Sequence, residues 1–187
     1  MRKTLTQQVH ERLTKIICPG DGVVDATVGN GHDTAFLAEA VGPEGRVFGF
    51  DVQQSAIDAT SVRLEAAGVR EWVDLFLNGH ECLLDFLPAE FIGRVKVIMF
   101  NLGYLPGSDK QVITQTETTL QAIQAALICL AQGGCLSVLL YPGHPGGSEE
   151  AHAVKAFLKS LPQEAYLLEI EGGSGTNAPE SLILTKV

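Results

Sequence analysis

Several protein classes are excluded by what this sequence lacks. Four cysteines, Cys18, Cys82, Cys129 and Cys135, form no CxxC pair and sit among Ile, Leu and Gly. They read as small buried hydrophobes in a reducing compartment, which argues against a zinc site or a disulfide framework. No apolar run approaches the roughly 18–20 residues needed to cross a bilayer. The opening stretch MRKTLTQQVHERLTKII has no continuous apolar region, so a secretory signal is not expected and the cytoplasm is the expected compartment. Charged residues make up only 19% against 45% apolar, too apolar a balance for a disordered chain. What remains is one globular domain of 187 residues.

The charge is acidic, −9 overall with a pI near 4.9. Residues 1–20 oppose it: Arg2, Lys3, Arg12 and Lys15 stand against Glu11 alone. An acidic body argues against binding nucleic acid through charge over the whole surface and leaves a local basic patch open. A charged outer face on an N-terminal helix accounts for the same residues.

Apolar β-branched runs alternate with helical spacing along the chain. Leu5, Val9, Leu13, Ile16 and Ile17 predict a helix over about 4–17. Strands are predicted at 22–28, 45–52, 73–79, 95–103, 134–143, 165–172 and 180–187. Helices are predicted at about 33–41, 55–67, 82–86, from 114, and from 148. Thr114 and Glu117 form a capping-box pattern before the apolar face Leu120, Ile123, Leu127 and Leu130, with Gly133 and Gly134 as the stop. Alternating strands and helices imply a parallel sheet covered on both faces. Two closing strands without a helix between them imply an antiparallel pair at one edge. The expectation is a single α/β domain, a doubly wound, mostly parallel sheet of seven strands with one antiparallel edge strand.

Ligands in such sheets bind beyond the carboxyl ends of the strands, where the strand order reverses. The first strand runs into Asp25-Ala26-Thr27-Val28-Gly29-Asn30-Gly31-His32-Asp33-Thr34, a glycine turn leading into a helix. Asp51 ends the second strand, where a carboxylate can accept both hydroxyls of a ribose. Asn78, Gly79 and His80 end the third, suited to the edge of an adenine. A dinucleotide fingerprint would need a third Gly or Ala, and Thr34 stands there. Asp25 and Asp33 are poor neighbours for a pyrophosphate and reasonable ones for a cation. S-adenosylmethionine (SAM), with a ribose, an adenine, a sulfonium and no phosphate, fits better than NAD. No metal is expected.

The fourth strand ends in Asn101-Leu102-Gly103-Tyr104. An asparagine amide there can accept a hydrogen bond from a target N–H, and Tyr104 can stack on a base. Asn-Leu-Gly-Tyr resembles the Asn-Pro-Pro-Tyr motif of nitrogen methyltransferases. The fifth strand ends in Tyr141-Pro142-Gly143-His144, whose histidine is either a base or a loop residue. With no cysteine in 101–107 or 141–147, carbon methylation through a thiolate adduct is disfavoured.

Together DATVGNGHDT, GFDVQ, NGH, FNLGYLPGSDK and LLYPGHPGG resemble the small bacterial methyltransferases of the rRNA methylase family, from about residue 5 onward. The resemblance implies a class I methyltransferase (Rossmann-like) fold and SAM as donor. It further implies methylation of the 5-aminomethyl group of 5-aminomethyl-2-thiouridine at the tRNA wobble position. By motif, Asn30, Asp33, Asp51, Gln53 and His80 would contact the cofactor, and Asn101, Tyr104, Tyr141 and His144 the nucleotide. The partner would be a tRNA anticodon loop, met by Arg2, Lys3, Arg12 and Lys15, with Lys110, Lys155 and Lys159 as weaker contacts. Methylation of an exocyclic rRNA amine or a protein amide, and a non-catalytic SAM-binding subunit, stay open as alternatives. So does a homodimer.

Overall fold

The computed structural model describes residues 3–103, 113–173, 175 and 177–187. Its elements run α1 (Leu5–Leu13), β1 (Gly22–Asp25), α2 (His32–Val41), β2 (Arg46–Asp51), α3 (Gln54–Ala67), β3 (Val73–Leu77), α4 (Leu83–Phe86), β4 (Val95–Leu102), α5 (Thr116–Cys129), β5 (Leu130–Leu140), α6 (Gly147–Ser160), β6 (Tyr166–Gly172) and β7 (Glu180–Lys186). The seven strands form one sheet in the order β3-β2-β1-β4-β5-β7-β6. Strands β1 to β5 pair in parallel, and β7 runs antiparallel to both β5 and β6. The reversed strand therefore lies one place in from the edge, and β6 takes the edge itself.

The pleat sorts the apolar residues onto two faces, because successive side chains of a strand point opposite ways. Val24, Phe48, Phe50, Ile98, Phe100, Leu136 and Val138 pack against Leu83 of α4, Ile123 of α5 and Val154 and Leu158 of α6. The alternate residues Val23, Val47, Val97, Met99 and Leu139 meet Val9 and Leu13 of α1, Leu37 and Val41 of α2 and Leu64 of α3. Leu13 is fully buried, worth about 1.5–3 kcal/mol in docking α1.

Local signals were answered unevenly. At α1, Thr4 Oγ1 accepts the Gln7 N–H while the Gln7 side chain accepts that of Thr4, a complete capping box. The helix stops at Leu13, short of the expected Ile17; the Thr14 hydroxyl turns back onto the His10 carbonyl, and Pro19 follows. The box expected at Thr114–Glu117 does not form. Gln115 is the cap residue and supplies no side-chain bond, because the Thr114 hydroxyl donates to Glu150 instead, at 2.7 Å. Gly133 and Gly134 do not end α5 either. The chain enters β5 at Leu130, and the glycines fall in the irregular stretch where pairing jumps from Val95↔Leu130 to Val97↔Cys135. Cys129 and Cys135 are buried as expected, whereas Cys18 is exposed. Among the described residues no helix is long and apolar enough to cross a membrane.

Candidate active site

The sheet reverses direction of growth at β1, whose neighbours are β2 on one side and β4 on the other. The carboxyl ends of these strands and the turns that follow them carry the site. Gly31 caps α2 in a left-handed conformation, φ 75°. A Cβ there would lie 2.6 Å from Thr60 Oγ1, so only glycine lets the turn pass under α3. The Thr60 hydroxyl and the Arg63 guanidinium hold that turn by donating to the carbonyls of Gly29 and Asn30 at 3.1 and 2.7 Å.

Asp25 is fully buried. It accepts the Thr34 hydroxyl at 2.6 Å and the Thr27 N–H at 3.2 Å. Burial, and then the charge of Asp33, raise its pKa to about 7, against the pull of those two donors. Asp51 accepts the Gly29 N–H on one oxygen and the Gln53 N–H on the other, both at 2.9 Å. Each oxygen keeps a second lone pair for a hydroxyl donor. His80 is buried, which lowers its pKa. Its Nδ1 lies 3.2 Å from the Ala26 carbonyl, so Nδ1 carries the proton and Nε2 is an acceptor, suited to an exocyclic amine.

At the tip of β4 the Asn101 N–H donates to Thr27 Oγ1 at 2.7 Å, and its side-chain Nδ2 donates to Asp33 Oδ2 at 2.5 Å. The other Asp33 oxygen accepts from His10 Nε2 of α1 at 2.6 Å, and the His10 ring stacks on Phe36 at 3.9 Å between centroids. The loop after β5 comes alongside. A Cβ built on Gly103 would lie 3.6 Å from Tyr141 Cβ and 3.8 Å from His144 Nε2. His144 Nδ1 lies 3.0 Å from the Pro145 carbonyl, and the ring rests on Gly147, where a Cβ would come within 2.6 Å of Nε2. Asn78 sits half-buried at the end of β3. Tyr104 and Lys110 lie outside the described residues, as does Arg2.

The fold thus brings the turn after β1, Asp51, His80, Asn101, Tyr141 and His144 to one end of the sheet. Several of the basic residues are tied into ion pairs. Lys3 pairs with Glu11 at 2.6 Å, Lys155 with Glu180 at 2.7 Å, and Arg12 with Glu169; Lys15 and Lys159 are exposed. Sequence reasoning missed His10, Thr34, Thr60, Arg63 and Glu150. Of these Thr34 stood in the glycine-turn motif without a role, and His10 borders the apolar stripe of α1 as a polar residue.

A doubly wound sheet with this strand order, a glycine turn after β1, an acid closing β2 and an asparagine tipping β4 define a class I methyltransferase fold. The match to the family described as "Putative rRNA methylase" spans residues 47–186, and the chain belongs to that family. A protein of Clostridium thermocellum described in the same words shares 38% identity over the full length of both chains, with a TM-score of 0.94. A Streptococcus mutans protein solved in complex with SAH is 33% identical, also over both full lengths, with a TM-score of 0.86. A chloroplastic tRNA (mnm(5)s(2)U34)-methyltransferase of Arabidopsis thaliana is 41% identical over 174 residues. That match takes in 89% of this chain and 63% of the longer plant protein.

Proposed function

We propose that this protein methylates the aminomethyl nitrogen of 5-aminomethyl-2-thiouridine at the tRNA wobble position, using SAM. The single observation that carries the reading is the Asn101 amide, held by Asp33 at the carboxyl end of β4. The name of the Arabidopsis relative supports the nucleotide assigned, and the SAH complex of the Streptococcus protein supports the donor.

The residues present fit such a donor. Asp51 offers paired acceptors for a ribose, neutral His80 an acceptor for an adenine amine, and the carboxylates of Asp33 and Asp51 suit a cation rather than a phosphate. When bound, the donor supplies an electrophilic methyl group on sulfur. The chain's own task is to present the acceptor nitrogen. An alkyl amine with a pKa of about 10.4 is neutral in roughly one molecule in 2,500 at pH 7. A second cation in the site favours that neutral form. The Asn101 carbonyl oxygen accepts one N–H and aims the lone pair, and positioning of this kind supplies most of the rate. His144, whose ring lies beside Gly103 just past the tip of β4, is the base assigned to the proton released.

RNA contact falls to Lys15 on the exposed side just after α1, with Lys159 as a weaker contact, because Lys3, Arg12 and Lys155 are engaged in ion pairs. Mass spectrometry of tRNA nucleosides from cells lacking the protein tests the reaction. Accumulation of the unmethylated aminomethyl nucleoside supports it; an unchanged tRNA profile with a missing methyl group in rRNA or protein would replace it.

A further inference from the structure

We infer that His10 is a positioning residue which, through Asp33, holds the Asn101 amide with its carbonyl oxygen turned away from Asp33 and toward the methyl acceptor. The inference rests on the assignment of Asn101 to the chemical centre and extends it into α1, an element outside the glycine turn and strand tips.

The directions of the hydrogen bonds follow from chemistry. A carboxylate only accepts, so the atom of Asn101 at 2.5 Å from Asp33 Oδ2 is the amide nitrogen, and the atom of His10 at 2.6 Å from Oδ1 carries a proton. An asparagine amide has two nearly isosteric orientations. Asp33 selects the one in which Oδ1 is left for another donor. An acceptor nitrogen must then bring at least one N–H to the site, which a primary amine does and a tertiary amine does not.

Asp33 would not hold this geometry unaided. Its carboxylate can turn about its own axis, and one oxygen fixed by Asn101 leaves the other to seek a partner. His10 supplies that partner from a ring already pinned flat on Phe36, 5° from parallel. The backbone N–H of Asn101 is fixed separately by Thr27. Backbone and side chain of the asparagine are thus held from two different elements. The first is the turn after β1. The second is α2, through Asp33, which is braced in turn by His10 of α1, a helix that Val9 and Leu13 anchor in the core.

The test combines a reading of the amide with a reading of the rate. In protein labelled with 15N-asparagine, the Asn101 side-chain NH2 resonance, assigned by its loss in Asn101→Ala, reports the bond to Asp33. His10→Ala is expected to shift that resonance and to slow single-turnover methyl transfer roughly tenfold, with SAM affinity held within about twofold. His10→Gln, whose amide nitrogen can donate to the same carboxylate oxygen, is expected to restore most of both. An unmoved resonance and rate in His10→Ala would overturn the inference, and so would equal losses in the Ala and Gln variants. The resonance needs no acceptor, so a shift in His10→Ala supports the link even if wild type methylates no tRNA, an outcome that sinks the proposed reaction alone.

Discussion

The hydroxyl of Thr27 accepts the backbone N–H of Asn101 at 2.7 Å, joining the turn after β1 to the tip of β4 across 74 residues of sequence. Thr27→Val keeps the shape and removes the acceptor, stranding a half-buried N–H at a cost of about 1–3 kcal/mol. Thermal denaturation should show the loss, and single-turnover methyl transfer should slow with it. Thr27→Ser should behave like wild type. Equal rates in the Val and Ser variants would mean that this bond does not matter to the chemistry.

Gly31→Ala should abolish measurable SAM binding by calorimetry. The substitution meets both a left-handed φ of 75° and Thr60 Oγ1 at 2.6 Å. Gly20→Ala is the control: it shares the positive φ, 92°, but has open space around the position. It should lose about 1 kcal/mol of stability and keep its SAM affinity.

Asp25 gives a pH signature. Its pKa is about 7 when folded against an ordinary value of 3.8. The folded protein therefore holds a proton that the unfolded chain has released. This group makes stability fall as pH rises from about 4 to 7, with no further loss above, at a slope of at most about 1.4 kcal/mol per pH unit. Asp25→Asn removes that dependence. Measured from pH 5 to 8, the melting temperature of the variant minus that of wild type should climb; a flat difference would show that the carboxyl is ionised throughout.

Much of this architecture is legible in the sequence alone. Runs that are apolar on both faces belong inside a covered sheet, and Val23-Val24 and Val97 to Phe100 are unmistakable in that respect. The strand-end residues Asp25, Asp51, His80 and Asn101 were legible because the chemistry of an open sheet concentrates there. The missed contacts are long-range pairings. Nothing local ties His10 to Asp33 or Thr119 to Glu150, and a glutamate in the first turn of a helix looks like a solvent-facing partner for the helix dipole. The capping box at Thr114 failed for the same reason: a buried carboxylate 36 residues away competes better for the hydroxyl than the local N–H does.

Glu150 is 2% exposed and accepts from Thr114 and Thr119, at 2.7 and 2.6 Å, which locks the start of α5 to α6. Glu150→Ala leaves a buried Thr119 hydroxyl unpaired and should lower the melting temperature by several degrees, at about 2–4 °C per kcal/mol for a chain of this size. Glu150→Gln keeps one acceptor and should lose far less. A full-sized loss in the Gln variant would show that the charge itself is required.

Arg12 tests whether α1 meets RNA with a residue already engaged by Glu169. Arg12→Glu sets two carboxylates against each other and should weaken the packing of α1 on β6. The exchange Arg12→Glu with Glu169→Arg restores the pair and should restore the melting temperature. Filter binding of tRNA by the exchanged protein then decides: affinity equal to wild type means Arg12 acts on the fold, whereas Lys15→Glu should weaken RNA binding with no change in melting.

The placement of β7 has a consequence for how the molecule is made. Among the described residues β6 pairs with β7 alone, a strand that follows it in sequence. Until residues 180–186 insert between it and β5, β6 has a bare hydrogen-bonding edge, with Leu167 and Ile170 exposed beside it. Closure of the sheet thereby waits on residues 180–186, and a chain deprived of β7 is left with β6 unpaired and prone to aggregate.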